Sequence, residues 1–585
     1  MSSPRIAYTL GMSKPHTHLF EVTVTVDGWN EPSLELVMPS WTPGSYMIRE
    51  YARHVQDFSA EADGKGARWQ KMAKDTWRVE TPLQGRVRAS YKVYAHDLTV
   101  RTPHLDGTHG FATGAAVFMC LSGRLKEPVS LEVTVPFRWQ VATGLEPLGG
   151  GNNIFRFKAR DFDELVDGPI ECGTHRVLPF DVDGIPHKIV LWGRGNEDET
   201  RIVDDTKAIV EAQKRFFGGL PYRHYTFIHH LAQGRGGLEH RNSAVFLVDR
   251  WGFRPQASYE RFLELVAHEF FHVWNVKRVR PKPLGPFDYR TENHTRQLWT
   301  MEGVTSYYEK RFVLAAGLYG KERFLERVGE GIAALQSQPG RTRQSLESAS
   351  FDAWIKHYRP DENTANSSIS YYLKGEVVAL LLDLEIRALT SRKKSLDDVV
   401  KHLTHQATLD DAGFAEPDGY LETVEKVCGD QGGAFRRFFE RYVAGTEELD
   451  FDRALGHAGL ALRWARKGSD AAGGWLGISS RPGTAGAVVT ASRADGPAYA
   501  AGIYPGDEIV ALDGHRVDEA RLMTRIGERP PGATVRVTLF RRDELYEISA
   551  PLAEPPADAL EIAAKGGATQ AQAALRESWL TPFQA

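Results

Sequence analysis

Two histidines and a glutamate lie close together in the stretch LVAHEFFHVWN, which runs from Leu265 to Asn275. Residues four apart in a helix project from the same face, so His268 and His272 can direct their imidazole nitrogens at one metal ion. Glu269 would lie beside that ion. The spacing predicts a zinc site in which Glu269 is the general base of a hydrolysis reaction. The alternative is a pair of partly buried histidines on an amphipathic helix.

A hydrolytic zinc ion needs a third protein ligand and an open position for water. The stretch LWTMEGVTSYYE, from Leu298 to Glu309, contains the pattern Trp-x-x-Glu-Gly. This pattern resembles the second zinc-site helix of the gluzincins, the class that contains thermolysin and aminopeptidase N. The resemblance implies that Glu302 is the third ligand of one zinc ion per chain, and that Glu309 supports a ligand from the same helix face. The alternative is that both glutamates are solvated helix carboxylates.

Other stretches resemble one gluzincin family in particular. They are His-Glu-Phe-Phe-His-x-Trp-Asn followed by an Arg-Pro loop, WTPGSYMIREYARHV from Trp41 to Val55, and a PDZ-like unit near the C-terminus. Together they resemble the glycyl aminopeptidase family, number sixty-one of the metallopeptidases. The resemblance implies a preference for peptides that begin with glycine or alanine.

The segment between the second histidine and Glu302 is longer than is usual in the aminopeptidase N branch, and it is basic. Its cations Lys277, Arg278, Arg280 and Lys282 could bind substrate carboxylates. Cations near the end of a helix also stabilise its negative pole and are often only solvated, which is the favoured interpretation here.

A glycine-rich stretch, GRGGLEHRNS, precedes the predicted strand NSAVFLVD. Its Gly236, Gly237 and Glu239 resemble the Gly-x-Met-Glu-Asn motif with which the aminopeptidase N branch binds a free N-terminus, although His240 replaces the expected Asn. Glycines let an extended substrate approach the edge strand, and Glu239 supplies the negative charge that an α-ammonium group requires. The alternative is a glycine-rich turn with a surface glutamate.

Tyr372, Leu373, Lys374 and Gly375 resemble the Tyr-x-Lys-Gly segment of the same branch. The resemblance implies that the Tyr372 hydroxyl donates a hydrogen bond to the oxyanion that forms when water attacks the substrate. Tyr371 is the obvious rival, and core tyrosines that only pack are common.

The chain is predicted to be a multidomain protein. Period-two patterns predict an N-terminal all-β domain over residues 1–175, and mixed patterns predict a thermolysin-like α+β catalytic domain over residues 176–460. Residues 473–553 resemble a PDZ domain, a β/α unit, and residues 554–585 read as a C-terminal tail with a short helix.

The PDZ-like unit predicts a peptide-binding site. A peptide C-terminus could add as a strand at Ile478, with its carboxylate bound by backbone amides of the turn that contains Leu476 and Gly477. The alternative is a structural module that docks on the catalytic domain.

Composition limits the partners. The 585 residues carry a net charge of −4 with no long block of one sign, so no nucleic-acid or membrane partner is expected. The N-terminus does not resemble a signal peptide, and three distant cysteines fit a reducing compartment, so we expect a cytoplasmic protein.

The leading hypothesis is a zinc aminopeptidase that acts on peptides with a free N-terminus. One alternative is a zinc endopeptidase that uses its PDZ domain to recruit substrates. The other is a PDZ-based binding protein with an inactive peptidase domain.

Overall fold

A computed structural model describes residues 4–81, 85–410, 413–465, 473–557, 559–581 and 583. Three large hydrophobic cores correspond to an N-terminal β domain, a central catalytic domain and a PDZ domain. None of the helices in these described ranges is long and apolar enough to cross a membrane.

The N-terminal domain is built of β-strands, as the alternating sequence predicts. In the strand Leu19–Trp29, every second side chain from Phe20 to Val26 is buried against the opposing sheet. The strands are β1 Arg5–Gly11, β2 Leu19–Trp29, β3 Ser33–Val37, β4 Val55–Ala62, β5 Lys65–Gly66, β6 Trp69–Ala73, β7 Thr76–Glu80, β8 Gly85–Tyr94, β9 His104–Leu105, β10 His109–Ala112, β11 Cys120–Leu121, β12 Val129–Thr134, β13 Gln140–Thr143, β14 Glu146–Gly151, β15 Ile154–Ala159 and β16 Ile170–Gly173. Two short helices, Gly114–Val117 and Phe162–Val166, join them.

These strands form three sheets. The largest has eight strands in the order β14-β15-β12-β1-β2-β8-β4-β5, and two four-stranded sheets have the orders β13-β16-β10-β9 and β11-β3-β7-β6. The sheet that contains β10 and β16 faces the catalytic domain, where Val100 and Phe111 pack against Leu238 and Ile228.

One segment of the N-terminal domain reaches into the catalytic domain. Trp41 and Tyr46 are buried in the catalytic core, where both pack against Trp354. The Trp41 indole also donates a hydrogen bond to the Asp288 carbonyl at 2.8 Å. This segment therefore places residues of the N-terminal domain in the core of the catalytic domain.

The catalytic domain begins with a five-stranded sheet. Its strands are β17 Arg176–Val182, β18 Ile185–Trp192, β19 Tyr225–Leu231, β20 Gly236–Glu239 and β21 Ser243–Val248, in the order β17-β18-β19-β21-β20. Strand β20 pairs only with β21 among the described strands, so its other edge is open to an added strand.

Helices make up most of the remaining catalytic domain. They are Glu199–Phe217, Gln256–Phe271, Val304–Ala315, Lys321–Gln336, Leu346–Phe351, Thr364–Ser367, Tyr371–Leu389, Leu396–Asp410, Gly419–Cys428, Ala434–Phe439 and Phe451–His457. A five-residue π-helical turn, Trp299–Gly303, leads into Val304–Ala315.

Two glycines let the helices of the site pack closely. A Cβ atom at Gly303 would lie 2.5 Å from the Gly375 Cα, a distance that a side chain does not tolerate. This contact brings the turn that carries Glu302 against the helix that begins at Tyr371.

The PDZ domain is a separate sheet with two helices. Its strands are β23 Ile478–Pro482, β24 Ala487–Ser492, β25 Glu508–Leu512, β26 His515–Arg516, β27 Thr534–Arg541 and β28 Glu544–Pro551, and its helices are Pro497–Ala501 and Glu519–Gly527. The sheet order is β23-β24-β25-β27-β28, with β26 beside β25. Asn366 of the catalytic domain holds the PDZ domain through hydrogen bonds with Ser492 and Ala494.

The structure of the C-terminal segment differs from the domain organisation that the sequence predicts. The predicted tail covers residues 554–585, and its described segment 559–581 is not independent, because β29 Ala559–Ala564 pairs with β22 Leu460–Ala465 and the helix Gln570–Leu580 follows. Trp579 on that helix is fully buried, and its indole donates a hydrogen bond to the Tyr307 hydroxyl at 2.9 Å. The chain thus leaves the catalytic domain to form the PDZ domain and then returns to complete the catalytic core.

Candidate active site

Three side chains converge at the centre of the catalytic domain. His268 lies on the helix Gln256–Phe271, His272 caps its end, and Glu302 lies on the π-helical turn. The Glu302 Oε2 atom is 3.3 Å from His268 Nε2 and 3.2 Å from His272 Nε2. The four-residue spacing puts both histidines on one face of their helix, which packs against the helix Val304–Ala315 that follows the π-helical turn. Two nitrogens and one oxygen therefore lie around a common point.

The far nitrogens of both imidazoles have acceptors. His268 Nδ1 lies 2.7 Å from Glu309 Oε2, and His272 Nδ1 lies 2.7 Å from the Asn275 carbonyl oxygen. Each Nδ1 can carry its ring's proton, which leaves the Nε2 lone pair directed at the common point. This arrangement fits a zinc ion with three protein ligands and one open position.

Glu302 has the ionised carboxylate that a metal ligand requires. Burial opposes the charged form, but His272 and His268 outweigh it and lower the pKa of Glu302 to about 2. Asn275 holds the turn in place, since its amide donates to the Thr300 carbonyl at 2.9 Å and the Met301 carbonyl at 3.1 Å.

Glu269 is the buried carboxylate beside this cluster, with 5% of its surface exposed. Burial raises its pKa to about 7, although His268 and His272 oppose the rise. Gly237 on strand β20 lies directly against it, and a Cβ atom at that position would overlap the Glu269 Oε1 atom. The carboxyl group is thus held between the edge strand and the cluster, where a general base would act.

Glu239 ends strand β20 and is 3% exposed. Its Oε1 atom has no hydrogen-bond partner among the described residues, and its nearest cation, the Lys277 Nζ, is 4.0 Å away. A carboxylate oxygen of Glu239 lies within 4.8 Å of ligand atoms of Glu269 and His272. A buried carboxylate oxygen without a hydrogen-bond partner costs free energy, so this position suits an incoming positive charge.

Gly44, from the N-terminal domain, closes the space next to Glu239. Its φ of +86° favours glycine, and a Cβ atom there would lie 2.6 Å from both Glu239 carboxylate oxygens. Tyr46 lines the same cavity, whose volume is about 250 Å³. Burial raises the pKa of Tyr46, and the negative charges of Glu302 and Glu239 raise it further.

Tyr371 and Tyr372 lie in different environments. Tyr371 is fully buried, whereas Tyr372 is partly exposed and its ring centroid is 6.3 Å from that of His268. The Tyr372 hydroxyl lies 3.5 Å from that of Tyr358, which is also 3.5 Å from the Gly44 carbonyl oxygen. Of the two, Tyr372 faces the cluster.

Sequence patterns did not identify Gly44, Tyr46 or Tyr358 as part of the site. Gly44 and Tyr46 belong to the WTPGSY stretch, which entered only as a mark of resemblance. Tyr358 lies in a stretch without a recognisable motif, and only the folded chain brings it next to Tyr372.

Most of the basic run has structural partners. Lys277 pairs with Asp167 at 2.9 Å, and Arg278 donates to the Val273 carbonyl near the end of the metal-site helix at 2.6 Å. The Arg280 guanidinium lies over the Phe287 ring at 5.1 Å. Arg278 fits the favoured interpretation of a cation at the end of a helix, whereas Lys277 is held in an ion pair with Asp167 and is not merely solvated.

The PDZ residues occupy the predicted turn and edge. Leu476 is buried in the PDZ core, Gly477 has a φ of +78°, and Ile478 begins the edge strand β23. A Cβ atom at Gly477 would lie 2.9 Å from the Gly496 Cα, so the turn requires glycine for close packing as well.

Comparisons with known proteins agree with this architecture. Residues 7–174 match the Peptidase M61 N-terminal domain, residues 261–378 match M61 glycyl aminopeptidase, and residues 474–552 match a PDZ domain. A crystal structure of an aminopeptidase N family protein from Idiomarina loihiensis superposes with a TM-score of 0.91 at 31% identity. The match covers 99% of this chain and 100% of that one.

More distant likenesses are weaker. An M1 zinc metallopeptidase from Deinococcus radiodurans gives a TM-score of 0.49 at 14% identity over 75% of this chain and 94% of that one, too little to support an inference. A probable periplasmic serine endoprotease DegP-like from Rhizobium meliloti is 28% identical over 27% of this chain and 36% of its own length. This chain thus spans about a third of that curated relative, and its cytoplasmic location stays a prediction.

The full-length match and the adjacent peptidase domains confirm the predicted multidomain fold class. The chain belongs to the M61 glycyl aminopeptidase family of peptidases and carries a C-terminal PDZ domain.

Proposed function

We propose that this protein is a zinc-dependent aminopeptidase that removes the first residue, glycine or alanine, from peptides with a free N-terminus. The observation that carries the proposal is the buried Glu239 carboxylate, which lies beside both Glu269 and the metal-binding cluster. Its Oε1 atom has no hydrogen-bond partner among the described residues, and its ion pair with Lys277 is long, at 4.0 Å. An α-ammonium group would neutralise this carboxylate, and the first peptide bond would then lie over the cluster.

His268, His272 and Glu302 would hold the zinc ion. Bound there, zinc would polarise the scissile carbonyl group and lower the pKa of a water molecule toward ~7. Glu309 and Asn275 support this role, because their oxygens fix the orientation of the two imidazoles.

Glu269 takes the proton from the attacking water and returns it to the leaving amine. The Tyr372 hydroxyl donates a hydrogen bond to the substrate oxygen on which negative charge develops. The backbone of strand β20 binds the extended peptide as an added strand, with Gly236 and Gly237 leaving room for its close approach.

The close contact between Gly44 and the Glu239 carboxylate supports a preference for a small first side chain. Gly44, Tyr46 and Lys277 line the cavity around this carboxylate, and Gly44 already lies against it. A bulky first residue would have to displace this wall, which comes from the N-terminal domain.

The PDZ domain would bind a peptide C-terminus. Its edge strand β23 pairs only with β24 among the described strands, and the turn that contains Leu476 and Gly477 precedes it directly. A peptide would extend the sheet beside Ile478, with its carboxylate at the turn.

Free and N-acetylated forms of one alanine-initiated peptide test the aminopeptidase proposal. We expect the parent enzyme to cleave only the free form. Glu239→Gln should lower kcat/KM for it by roughly 30- to several-thousand-fold, because loss of one partner of a desolvated charge pair costs about 2–5 kcal/mol. Glu61→Gln, an exposed change of the same type, is the matched control. Equal or internal cleavage of the acetylated peptide would show an endopeptidase instead.

A further inference from the structure

A lysine lies beside Glu239 but forms its short ion pair with a different carboxylate. The Lys277 Nζ atom is 2.9 Å from Asp167 Oδ1 and 4.0 Å from Glu239 Oε1. All three side chains line the cavity that was described beside Glu239. The lysine is therefore close enough to Glu239 to compete with the ammonium group of a substrate, and Asp167 is the group that binds it instead.

Asp167 belongs to the N-terminal domain and lies at the end of the helix Phe162–Val166. Its Oδ2 atom accepts a hydrogen bond from the Arg241 backbone amide at 2.7 Å, and its Oδ1 atom lies 3.3 Å from His240 Nδ1. These two partners directly follow Glu239 in the chain. One carboxylate of the N-terminal domain thus fixes both the backbone that follows Glu239 and the lysine beside it.

Both members of this ion pair are charged. Burial opposes ionisation of Asp167, but the Lys277 charge and a hydrogen bond from His240 outweigh it and lower the pKa of the carboxyl group. Burial lowers the pKa of Lys277, but the negative charges of Asp167 and Glu239 outweigh it and raise that pKa. Among the described residues, Glu239 is the only other carboxylate within 4.0 Å of the lysine ammonium group. If the Asp167 charge were lost, Lys277 would therefore turn to Glu239.

Lys277 and the α-ammonium group of a substrate would compete for the same carboxylate. The Glu239 oxygen nearest to Lys277 is the one that has no hydrogen-bond partner in the described part of the chain. Glu239 is almost completely buried, so two ammonium groups on it would leave one positive charge uncompensated and out of water. A lysine that paired closely with Glu239 would therefore weaken the binding of a free N-terminus.

We propose that Asp167 is a positioning residue that holds Lys277 away from Glu239 and so keeps the binding site for the substrate's α-ammonium group open. This inference rests on the aminopeptidase function proposed above. The lysine side chain is a flexible four-carbon stem that ends in three rotatable donors, so it can turn from one carboxylate to the other without a change in the backbone. Through Asp167, the N-terminal domain sets the affinity of the catalytic domain for free N-termini.

Hydrolysis of alanine p-nitroanilide by the zinc-loaded full-length proteins tests this role. Asp167→Asn should raise KM by about 10- to 150-fold, the range expected when a hydrogen bond to a charged group is lost. Its kcat should change little, because the ammonium group is bound equally in the ground state and the transition state. Adding Lys277→Met should return KM to the parental value, since no competing cation remains. Asp204→Asn, an exposed change of the same type, should behave as the parent.

A crystal structure of Asp167→Asn separates this inference from the function on which it rests. We expect the Lys277 Nζ atom within hydrogen-bond distance of Glu239. That rearrangement, in a protein whose parent hydrolyses no peptide with a free N-terminus, would overturn the aminopeptidase function and leave the positioning role standing. A lysine that stays away from Glu239 would overturn the inference.

The kinetic measurements can overturn the inference independently. An unchanged KM in Asp167→Asn would do so, as would a loss confined to kcat or a raised KM that Lys277→Met does not restore. Lys277→Met alone, which leaves Asp167 in place, should keep KM at or below the parental value. A rise in KM in that variant would show that Lys277 helps to bind the substrate and would also overturn the inference.

Discussion

Two buried clusters in this protein each consist of two histidines and one glutamate. The catalytic cluster is His268, His272 and Glu302, and the junction cluster is His109, Glu171 and His230. In each cluster, potential ligand atoms of the three residues lie within 4.8 Å of one another, and all six residues are buried. Residue type, burial and proximity therefore do not distinguish a metal site from a structural cluster.

The two clusters differ at the imidazole nitrogens that point away from the shared glutamate. In the junction cluster, His109 Nδ1 and His230 Nε2 lie 3.1 and 3.0 Å from Glu171, while His109 Nε2 and His230 Nδ1 have no partner within the described part of the chain. If a metal took the near nitrogens, the protons would have to move to nitrogens that have no acceptor. In the catalytic cluster, the corresponding nitrogens of His268 and His272 both have an acceptor.

The junction cluster instead joins two domains. Glu171 and His109 lie on β16 and β10 of the N-terminal domain, and His230 lies on β19 of the catalytic domain. Burial opposes ionisation of Glu171, but His109 and His230 outweigh it and lower its pKa to about 2. The Trp192 ring stacks on His109 with centroids 3.6 Å apart, which fills the remaining space.

The largest effect is expected at Glu269. Glu269→Gln removes the group that we propose as the acceptor of the water proton. General-base catalysis contributes about 10²- to 10⁴-fold, so kcat should fall by that factor. Zinc content should not change. Turnover on an alanine-initiated peptide, with elemental analysis of the same sample, checks both points. A loss smaller than about tenfold would contradict the assigned role.

The next effect is on metal affinity. Glu309→Gln weakens the acceptor for His268 Nδ1, and loss of such a partner typically lowers metal affinity by about 10- to 100-fold. Competition with a fluorescent zinc chelator measures this change. Glu322→Gln, an exposed change nearby in sequence, should leave affinity at the parental value. Equal zinc affinity in the parent, Glu309→Gln and Glu322→Gln would show that the contact of Glu309 with His268 does not support the site.

The smallest effect concerns stability and pH. Glu171→Gln should destabilise the protein by about 1–3 kcal/mol without loss of zinc, because buried histidine hydrogen bonds lose a charged acceptor. The folded pKa lies below the ordinary value of 4.5, so the charged form stabilises the fold above pH 4.5. This contribution should disappear as the pH falls toward about 2.

Thermal unfolding of Glu171→Gln and of the parent across this range measures the difference. Glu61→Gln, exposed on β4 of the same domain, is the control. A stability difference that is unchanged between pH 5 and the acid limit of folding would show that the Glu171 charge contributes nothing.

Local sequence spacing was sufficient to indicate the histidine pair of the catalytic cluster. His268 and His272 share a helix face by periodicity, and resemblance added Glu302 and Glu239. The junction cluster was not foreseen, because its members lie far apart in sequence and meet only when two domains pack. Tyr46 was missed for the same reason.

Composition also did not predict that the chain returns to the catalytic domain after the PDZ domain. The C-terminal segment is rich in alanine and resembles a linker, yet Trp579 is buried beside Tyr307. The two aromatic residues of this alanine-rich stretch, Trp579 and Phe583, give no indication of which core they join.

Zinc content in two matched variants tests the central distinction most directly. Elemental analysis of the parent, His272→Ala and His230→Ala, purified in parallel, compares one histidine from each cluster. We expect one zinc ion per chain in the parent and in folded His230→Ala, and almost none in His272→Ala. Two zinc ions in the parent, zinc loss in folded His230→Ala, or full zinc in His272→Ala would contradict the account.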